Sequence, residues 1–317
     1  MSQPTEHVQD GWSRPDPLSA AEVSSGATIY ADWEQRVEGW EQFQEAVLEI
    51  SQRYESRDLV WRGARRAEWG VTSSLYRKLF RLRGTPPTED DLVAAEARIL
   101  QLARTDWRFD DRPAMELLAH LQHLGGPTRL LDVTENPLVA LWFAVELRRY
   151  DEDVDGRVFA FATDSSPIAL DADWGGRTPR WHSWRTDAVR RANRWGTGER
   201  RRIWRPPAYQ DRISAQNAAF IVDGAPIDAE QPASEDRAAV PVEEVREVSS
   251  INLRFSRVQR DNLRPESAPV FTLRIDAGAK AEIRQQLERR FGYRASSIFP
   301  DLTGLADYLG SHPESYG

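Results

Sequence analysis

Three consecutive residues, Trp61, Arg62 and Gly63, end a short apolar run that begins at Asp58 and predicts a buried strand. An arginine at a strand end can direct its planar set of donors at a phosphate or a carboxylate. The glycine beside it would let a ligand approach the backbone closely. The alternative is an ordinary surface arginine before a turn, and these three residues alone leave both interpretations open.

A denser group of polar residues lies within residues 120–137. His120 and His123 are three residues apart on one face of a predicted helix, so they could share a ligand. We expect no metal there, because no third ligand follows at a suitable spacing. A histidine near a helix end is more often a local hydrogen-bonding group. Asp132 could pair with Arg129 or cap the next helix, and these alternatives stay open.

Gln216 is a third candidate, because it lies among apolar residues of a predicted strand, 213–223. A glutamine on a strand can bind a substrate amide or a ribose hydroxyl. The common alternative is a core glutamine that satisfies nearby backbone groups.

A basic, Trp-rich segment spans residues 174–207, and its ten arginines give residues 174–205 a charge of +8 in a chain of net charge −8. Arginine can contact phosphates and tryptophan can stack on bases, so this composition suits a nucleic-acid partner. The alternative is a basic segment folded over the protein's own acidic surface through ion pairs and cation–π contacts. The candidate nucleic-acid residues are Arg190, Arg191, Arg194, Trp195, Arg200, Arg201 and Arg202.

Apolar periodicity predicts the elements that must position these residues. We expect helices over 33–54, 89–104, 114–124, 138–150, 279–291 and 302–309, and strands over 58–61, 128–132, 158–162, 213–223 and 270–275. Strands and helices mix without βαβ regularity, which favours an α+β fold with a mixed central sheet and flanking helices. The expected organisation is a disordered tail (1–27), one domain (28–310) and a short tail (311–317), with an acidic flexible loop at 224–248.

The bulk composition excludes several classes of protein. The 317 residues include no cysteine, so disulfides, a thiol nucleophile and thiolate metal sites are excluded. No apolar run approaches the roughly 20 residues that cross a bilayer, and a signal-peptide pattern is missing at the N-terminus. We therefore expect a cytoplasmic protein. Without a Gly-rich phosphate loop or a serine nucleophile elbow, kinase, Rossmann dehydrogenase and α/β-hydrolase functions are disfavoured.

The motifs resemble the FRG-domain family, named for Phe-Arg-Gly. Here Trp61 stands at the Phe position before Arg62 and Gly63, and Ser74 follows in the opening region. Residues 121–144 match the family's longest motif, residues 212–220 resemble its third motif, and residues 297–306 resemble its C-terminal end. The resemblance covers about residues 35–309.

The order of the motifs also resembles ADP-ribosyltransferases of the Arg–Ser–Glu type, which implies a split sheet and NAD as co-substrate. By this resemblance the catalytic residues are Arg62, Asp132, Thr134 and Gln216, and the NAD-binding residues are Arg62, Gly63, Ser74, His123, Thr128, Arg129 and Asn136. The chain departs from that pattern in two places. Asp-Val-Thr replaces Ser-Thr-Ser, and Gln216 stands where a catalytic Glu is expected, so Asp132 or Glu135 would have to supply the carboxylate.

Three functions follow as hypotheses. The first is an NAD-consuming enzyme that transfers ADP-ribose to a macromolecule, such as nucleic acid, or to water, in the manner of a bacterial toxin or an anti-phage effector with an antitoxin or defence-system partner. The second is a non-catalytic module that binds a nucleotide or a nucleic acid. The third is a protein-interaction domain in which all the motifs are structural.

Overall fold

A computed structural model of the chain describes residues 29–54, 58–148, 150–207, 211–229, 239–258, 268–312 and 315–316. The expected N-terminal tail and residues 230–238 of the expected acidic loop lie outside the described residues. Within that part of the chain, no helix combines the length and the apolar character that crossing a bilayer would require.

The described chain is built on a mixed sheet of eight strands. The strands are β1 (Glu34–Val37), β2 (Leu59–Ala64), β3 (Leu131–Thr134), β4 (Gly156–Ala162), β5 (Arg202–Trp204), β6 (Ala218–Val222), β7 (Arg254–Phe255) and β8 (Pro269–Ile275). Their order is β1-β8-β4-β2-β3-β6-β5, with β7 also beside β8. β1 and β7 run parallel to β8, and the other neighbours are antiparallel. The predicted α+β fold with a mixed sheet is confirmed, whereas the ADP-ribosyltransferase-like split of the sheet is not.

Helices pack on both faces of the sheet. They are α1 (Trp40–Arg53), α2 (Ser74–Arg83), α3 (Glu89–Thr105), α4 (Ala114–His123), α5 (Pro137–Val145), α6 (Asp187–Ala192), α7 (Asp211–Ala215), α8 (Val242–Val248), α9 (Lys280–Phe291), α10 (Ala295–Ile298) and α11 (Leu302–Ser311). The cap of α5 follows from its sequence, because Asn136 Oδ1 accepts a hydrogen bond from the Leu138 amide and Pro137 occupies the first turn. Helices α1, α5 and α9 pack on one face of the sheet.

Four predicted elements differ from the observed ones. The expected helix 33–54 begins only at Trp40, because residues 34–37 pair with β8 as strand β1. The helix expected to reach residue 150 ends at Val145. The strand expected at 128–132 lies at 131–134. Gln216 lies in the turn between α7 and β6 rather than on a strand, followed by Asn217 with φ of 44°.

Two described parts of the region 224–248 differ from the predicted flexible loop. Residues 224–227 are buried, with Ala225 in a small core cluster that also contains Leu75 and Leu92. Residues 242–248 form helix α8, which buries Val245 and Val248. These parts pack against the body of the protein instead of forming a loop on its surface.

Gly63 allows β2 and α5 to approach each other closely. A Cβ atom at this position would lie 1.9 Å from the backbone oxygen of Ala140 and 2.9 Å from the amide nitrogen of Ala144. The glycine is therefore required by packing of the strand on the helix. This corrects the expectation that its missing side chain makes room for a ligand, although its backbone does border the cavity described below.

A buried charge cluster joins α3 to the chain just before β3. Arg129 Nε donates to Glu96 at 2.6 Å and its Nη1 donates to Glu89 at 2.8 Å. The guanidinium carbon lies 5.1 Å from the ring centre of Trp181 and 5.6 Å from that of Trp195. All of these side chains are buried. Arg129 is a predicted NAD-binding residue, and the structure places its guanidinium inside the protein, paired with two carboxylates.

The tryptophans of the basic segment complete the same cluster. Trp181 Nε1 donates to Glu96 Oε2 at 2.8 Å, and Trp195 Nε1 donates to Glu89 Oε1 at 3.0 Å. His182 Nε2 lies 3.2 Å from Glu96 Oε2. Burial alone would raise the pKa of Glu96, but the charge of Arg129 and these hydrogen bonds outweigh it and lower that pKa.

The interior position of the basic segment revises the nucleic-acid assignment. Trp195, Arg190, Arg201 and Arg202 are buried, so these four cannot stack on bases or reach phosphates in this fold. Arg190 pairs with Asp90 and Asp187, Arg191 with Asp228, and Arg200 with Asp164. The segment therefore folds over the protein's own acidic residues, as the alternative interpretation held. Only Arg191, Arg194 and Arg200 of the seven candidates are exposed.

We expect Gly63→Ala to destabilise the protein strongly, because its methyl group would overlap the backbone of α5. Overpacking of this kind typically costs about 1–3 kcal/mol and sometimes more. Urea unfolding followed by tryptophan fluorescence would measure the loss. Gly310→Ala is the control, since nothing lies near a Cβ atom at that exposed position. Equal stability of the two variants would contradict the packing argument.

We expect Glu96→Gln to lower the free energy of unfolding at pH 7 by about 3–5 kcal/mol, because it leaves Arg129 only partly compensated in the interior. The pKa of Glu96 is lower in the folded than in the unfolded state. Its ionised carboxylate therefore contributes fully to the free energy of unfolding above the unfolded-state pKa, about 4.3, and this contribution is lost as the pH falls through the folded-state pKa. The difference between wild type and variant should therefore shrink in acid. Urea titrations between pH 3 and 7 measure it, and a constant difference would contradict this account.

Candidate functional site

A cavity of about 370 Å³ opens where β2 and β3 diverge. The two strands share one register pair, Trp61 with Thr134. Residues from β2, α4, β3, α5, α7, the turn that follows it, β6 and the segment after α9 line the cavity, and its volume suits a small ligand. The lining residues are Trp61, Arg62, Gly63, Ala119, Gln122, His123, Asp132, Val133, Thr134, Phe143, Arg212, Ile213, Gln216, Ala218, Phe220 and Phe299.

Arg62 bridges the gap between the two strands. Its Nη1 donates to the backbone oxygen of Asp132 at 2.6 Å. Burial lowers the pKa of the Arg62 guanidinium, and the charge of Asp132 acts in the opposite direction. A guanidinium carries five N–H donors, so this single contact leaves most of its hydrogen-bonding capacity for an anionic ligand in the cavity.

The carboxylate of Asp132 is oriented by a chain of side chains. Gln122 Nε2 donates to Asp132 Oδ1 at 2.7 Å. The other end of the same amide is held by the Thr128 hydroxyl, which donates to Gln122 Oε1. Thr128 is itself fully buried. The chain places an exposed carboxylate at the cavity and gives it a fixed direction.

Thr134 and Gln216 line the cavity, and their side chains form hydrogen bonds within the protein. The Thr134 hydroxyl donates to the backbone oxygen of Gln216 at 2.6 Å and accepts from the Asn136 amide at 3.0 Å. Gln216 Nε2 donates to the backbone oxygen of Ile298 at 3.0 Å. Both side chains border the cavity, but the Thr134 hydroxyl and the Gln216 amide nitrogen are hydrogen-bonded to other groups of the protein.

His123 and Arg212 lie near each other at the cavity. Burial lowers the pKa of His123, and the charge of Arg212 lowers it further, while Asp301 opposes both effects. The His123 imidazole is therefore neutral at pH 7. Arg212 Nη2 donates to Asp301 Oδ1 at 2.7 Å, which fixes the arginine at the cavity edge.

An aromatic wall completes the cavity. The rings of Phe143 and Phe299 meet edge to face, with centres 5.8 Å apart. The Arg212 guanidinium carbon lies 4.9 Å from the centre of the Phe299 ring. The site thus combines two arginines and a carboxylate with flat apolar surfaces, a composition that suits a ligand with both a charged and a planar part.

The structure brings together six of the predicted site residues and leaves four outside. Arg62, Gly63, His123, Asp132, Thr134 and Gln216 all line the cavity. Ser74, Thr128, Arg129 and Asn136 do not. Ser74 exchanges hydrogen bonds with the backbone of Thr128, and Asn136 caps α5 and donates to Tyr293. These four residues make structural contacts outside the cavity, and their role in binding NAD stays a prediction.

Several lining residues were absent from the predicted site. All four lie inside the motifs: Gln122, Phe143, Arg212 and Phe299. Membership of a motif did not show that their side chains face the cavity. Only contacts between distant segments reveal which motif residues face the cavity. Among the described residues, no group of three or more His, Asp or Glu side chains is placed to hold a metal ion.

One stretch of the chain matches a known family of protein domains. Residues 57–153 match the model of the FRG domain. No curated protein and no solved structure is significantly similar to the chain. The matched stretch contains β2, α4, β3 and α5 and therefore Arg62, Gln122, His123, Asp132 and Thr134, whereas Arg212, Gln216 and Phe299 lie beyond it. Residues 57–153 are thus similar to an FRG domain, and this stretch supplies most of the polar lining of the cavity.

Proposed function

We propose that this protein is an NAD-consuming enzyme that breaks the nicotinamide–ribose bond and transfers ADP-ribose to a macromolecule or to water. One observation carries the proposal. Arg62 and Asp132, 70 residues apart in the chain, meet at a single cavity. Both were selected because the order of the motifs resembles that of ADP-ribosyltransferases, and that chemistry requires a cation and a carboxylate at one site.

Arg62 is the group we assign to the phosphates of NAD. A guanidinium can hold a phosphate through two parallel hydrogen bonds, and partial burial strengthens them because less water competes. Its bond to the Asp132 backbone fixes its direction in advance, so little freedom is lost when a ligand binds. Arg212, paired with Asp301, adds positive charge to the same cavity.

Asp132 is the carboxylate we assign to the chemical step. As the bond between the ribose anomeric carbon and nicotinamide breaks, the electron pair leaves with nicotinamide and positive charge develops on the sugar. A carboxylate oriented before the reaction stabilises that charge, a contribution that is often the largest in catalysis. The Thr128–Gln122–Asp132 chain provides such orientation.

The acceptor completes the reaction by forming a bond to the anomeric carbon and losing a proton. His123 lines the cavity, and its lowered pKa keeps the imidazole neutral at pH 7, so it can take that proton. The acceptor is water or a nucleophilic group of a macromolecule. The segment once expected to bind nucleic acid gives no support to that acceptor, since four of its seven candidate side chains are buried.

A non-catalytic nucleotide-binding module is the second candidate, and Gln216 is the observation in its favour. The residue is neutral where the resemblance expects a catalytic glutamate, and its amide is engaged with Ile298. In that case NAD or ADP-ribose would bind in the same cavity and leave unchanged. Measurements of ADP-ribose binding and of nicotinamide release distinguish the two functions.

We expect Arg62→Ala to weaken binding of ADP-ribose by roughly 10- to 100-fold, because hydrogen bonds to charged groups contribute about 1.5–3 kcal/mol. Arg62→Lys keeps the charge but not the paired donors and should fall between the variant and wild type. Isothermal titration calorimetry measures the affinity. Arg289→Ala, on the exposed face of α9, is the matched control. Unchanged affinity in Arg62→Ala would contradict the proposal that the cavity binds a nucleotide through Arg62.

We expect Asp132→Asn to reduce nicotinamide release from NAD by at least about 100-fold, while ADP-ribose binding changes little. The amide can still accept the hydrogen bond from Gln122, so the local structure is preserved and only the charge is lost. Chromatographic measurement of nicotinamide gives the rate, with Asp110→Asn on an exposed loop as control. Binding without any release in wild type would favour the non-catalytic module.

A further inference from the structure

We propose that Gln216 is a positioning residue that fastens the C-terminal segment, residues 292–301, over the cavity, and that it does not act on the reacting ligand. The identity of the ligand rests on the proposed function, but the fastening does not. The inference gives a physical reason for a glutamine at the position where the resemblance expects a glutamate.

Three side-chain hydrogen bonds tie the C-terminal segment to the body of the protein. Asn136 Nδ2 donates to the Tyr293 hydroxyl at 2.6 Å, and Gln216 Nε2 donates to the Ile298 backbone oxygen at 3.0 Å. Arg212 Nη2 donates to Asp301 at 2.7 Å. The donor in each case belongs to the motifs that surround the cavity, and the acceptor belongs to the segment.

The segment contributes directly to the cavity. Ile298 is fully buried in the main core, and the next residue, Phe299, presents its ring as part of the cavity wall. The Gln216 bond lands on the carbonyl between these two side chains. Its loss would therefore loosen the point at which the wall is anchored.

The rest of the C-terminus offers little other anchorage. Within α11 only Gly304 is buried, while Leu302 is 84% exposed and Leu305 is 51% exposed. Elements with few buried contacts open at low free-energy cost, so α11 adds little to the anchorage that buried Ile298 and the polar ties give the wall.

The chemistry of the tie selects an amide. A carbonyl oxygen needs a donor, which glutamine has and an ionised glutamate lacks. A carboxylate at residue 216 would face the Ile298 oxygen with like partial charges. If this position were instead the site of a lost catalytic glutamate, restoring the carboxylate would increase catalysis. One substitution therefore distinguishes the two roles.

We expect Gln216→Glu to raise the KM for NAD about five- to tenfold without raising kcat, and to speed amide hydrogen exchange in residues 295–304 by a similar factor. Tyr293→Phe removes a different tie and should change exchange in the same direction. Gln101→Glu, on an exposed turn of α3, is the matched control and should change neither quantity. Exchange is followed by mass spectrometry on the full chain.

Two results would overturn the proposal. A higher kcat in Gln216→Glu would show that the side chain acts on the ligand. Unchanged exchange in residues 295–304 would show that it does not fasten the segment. If wild type neither binds nor cleaves NAD, the proposed function fails, and the exchange experiment alone still decides whether Gln216 holds the wall.

Discussion

The buried pairing of Arg129 with Glu89 and Glu96 joins α3 to the chain just before β3 and to the basic segment. An unpaired charge in a protein interior is very costly, so once Arg129 is buried, both carboxylates must follow it. Those carboxylates also bind the indole N–H groups of Trp181 and Trp195, which draws the basic segment inward. The result is a rigid support directly before β3, the strand that carries Asp132.

A second constraint acts on the opposite side of the cavity. Gly63 lets α5 lie against β2 at a distance that no side chain would allow. Arg62, one residue earlier, reaches across to the backbone of Asp132 where the strands no longer pair. Close packing on one side and an open sheet on the other place a charged group in a recess, a setting in which electrostatic interactions strengthen because water is excluded.

Part of the aromatic wall of the cavity comes from a third part of the chain. The segment after α9 supplies Phe299 and is held by three side-chain hydrogen bonds whose donors come from two separate motifs. Polar residues that resembled ligand-binding groups in the sequence, such as Asn136 and Thr134, use their hydrogen-bonding capacity within this assembly. Some motif residues thus hold the pocket together, and others present side chains to its interior.

The sequence by itself determined the local features. Periodicity and caps located β2, α3, α4, α5 and β8, and the motifs selected Arg62 and Asp132, because these signals depend only on near neighbours in the chain. Tertiary structure alone decided which motif residues face the cavity. It paired residues 34–37 with β8, placed Gln216 in a turn and buried the basic segment. Strand pairing and charge burial depend on partners up to 240 residues away, as for Arg274 and Glu34, and composition cannot identify such partners.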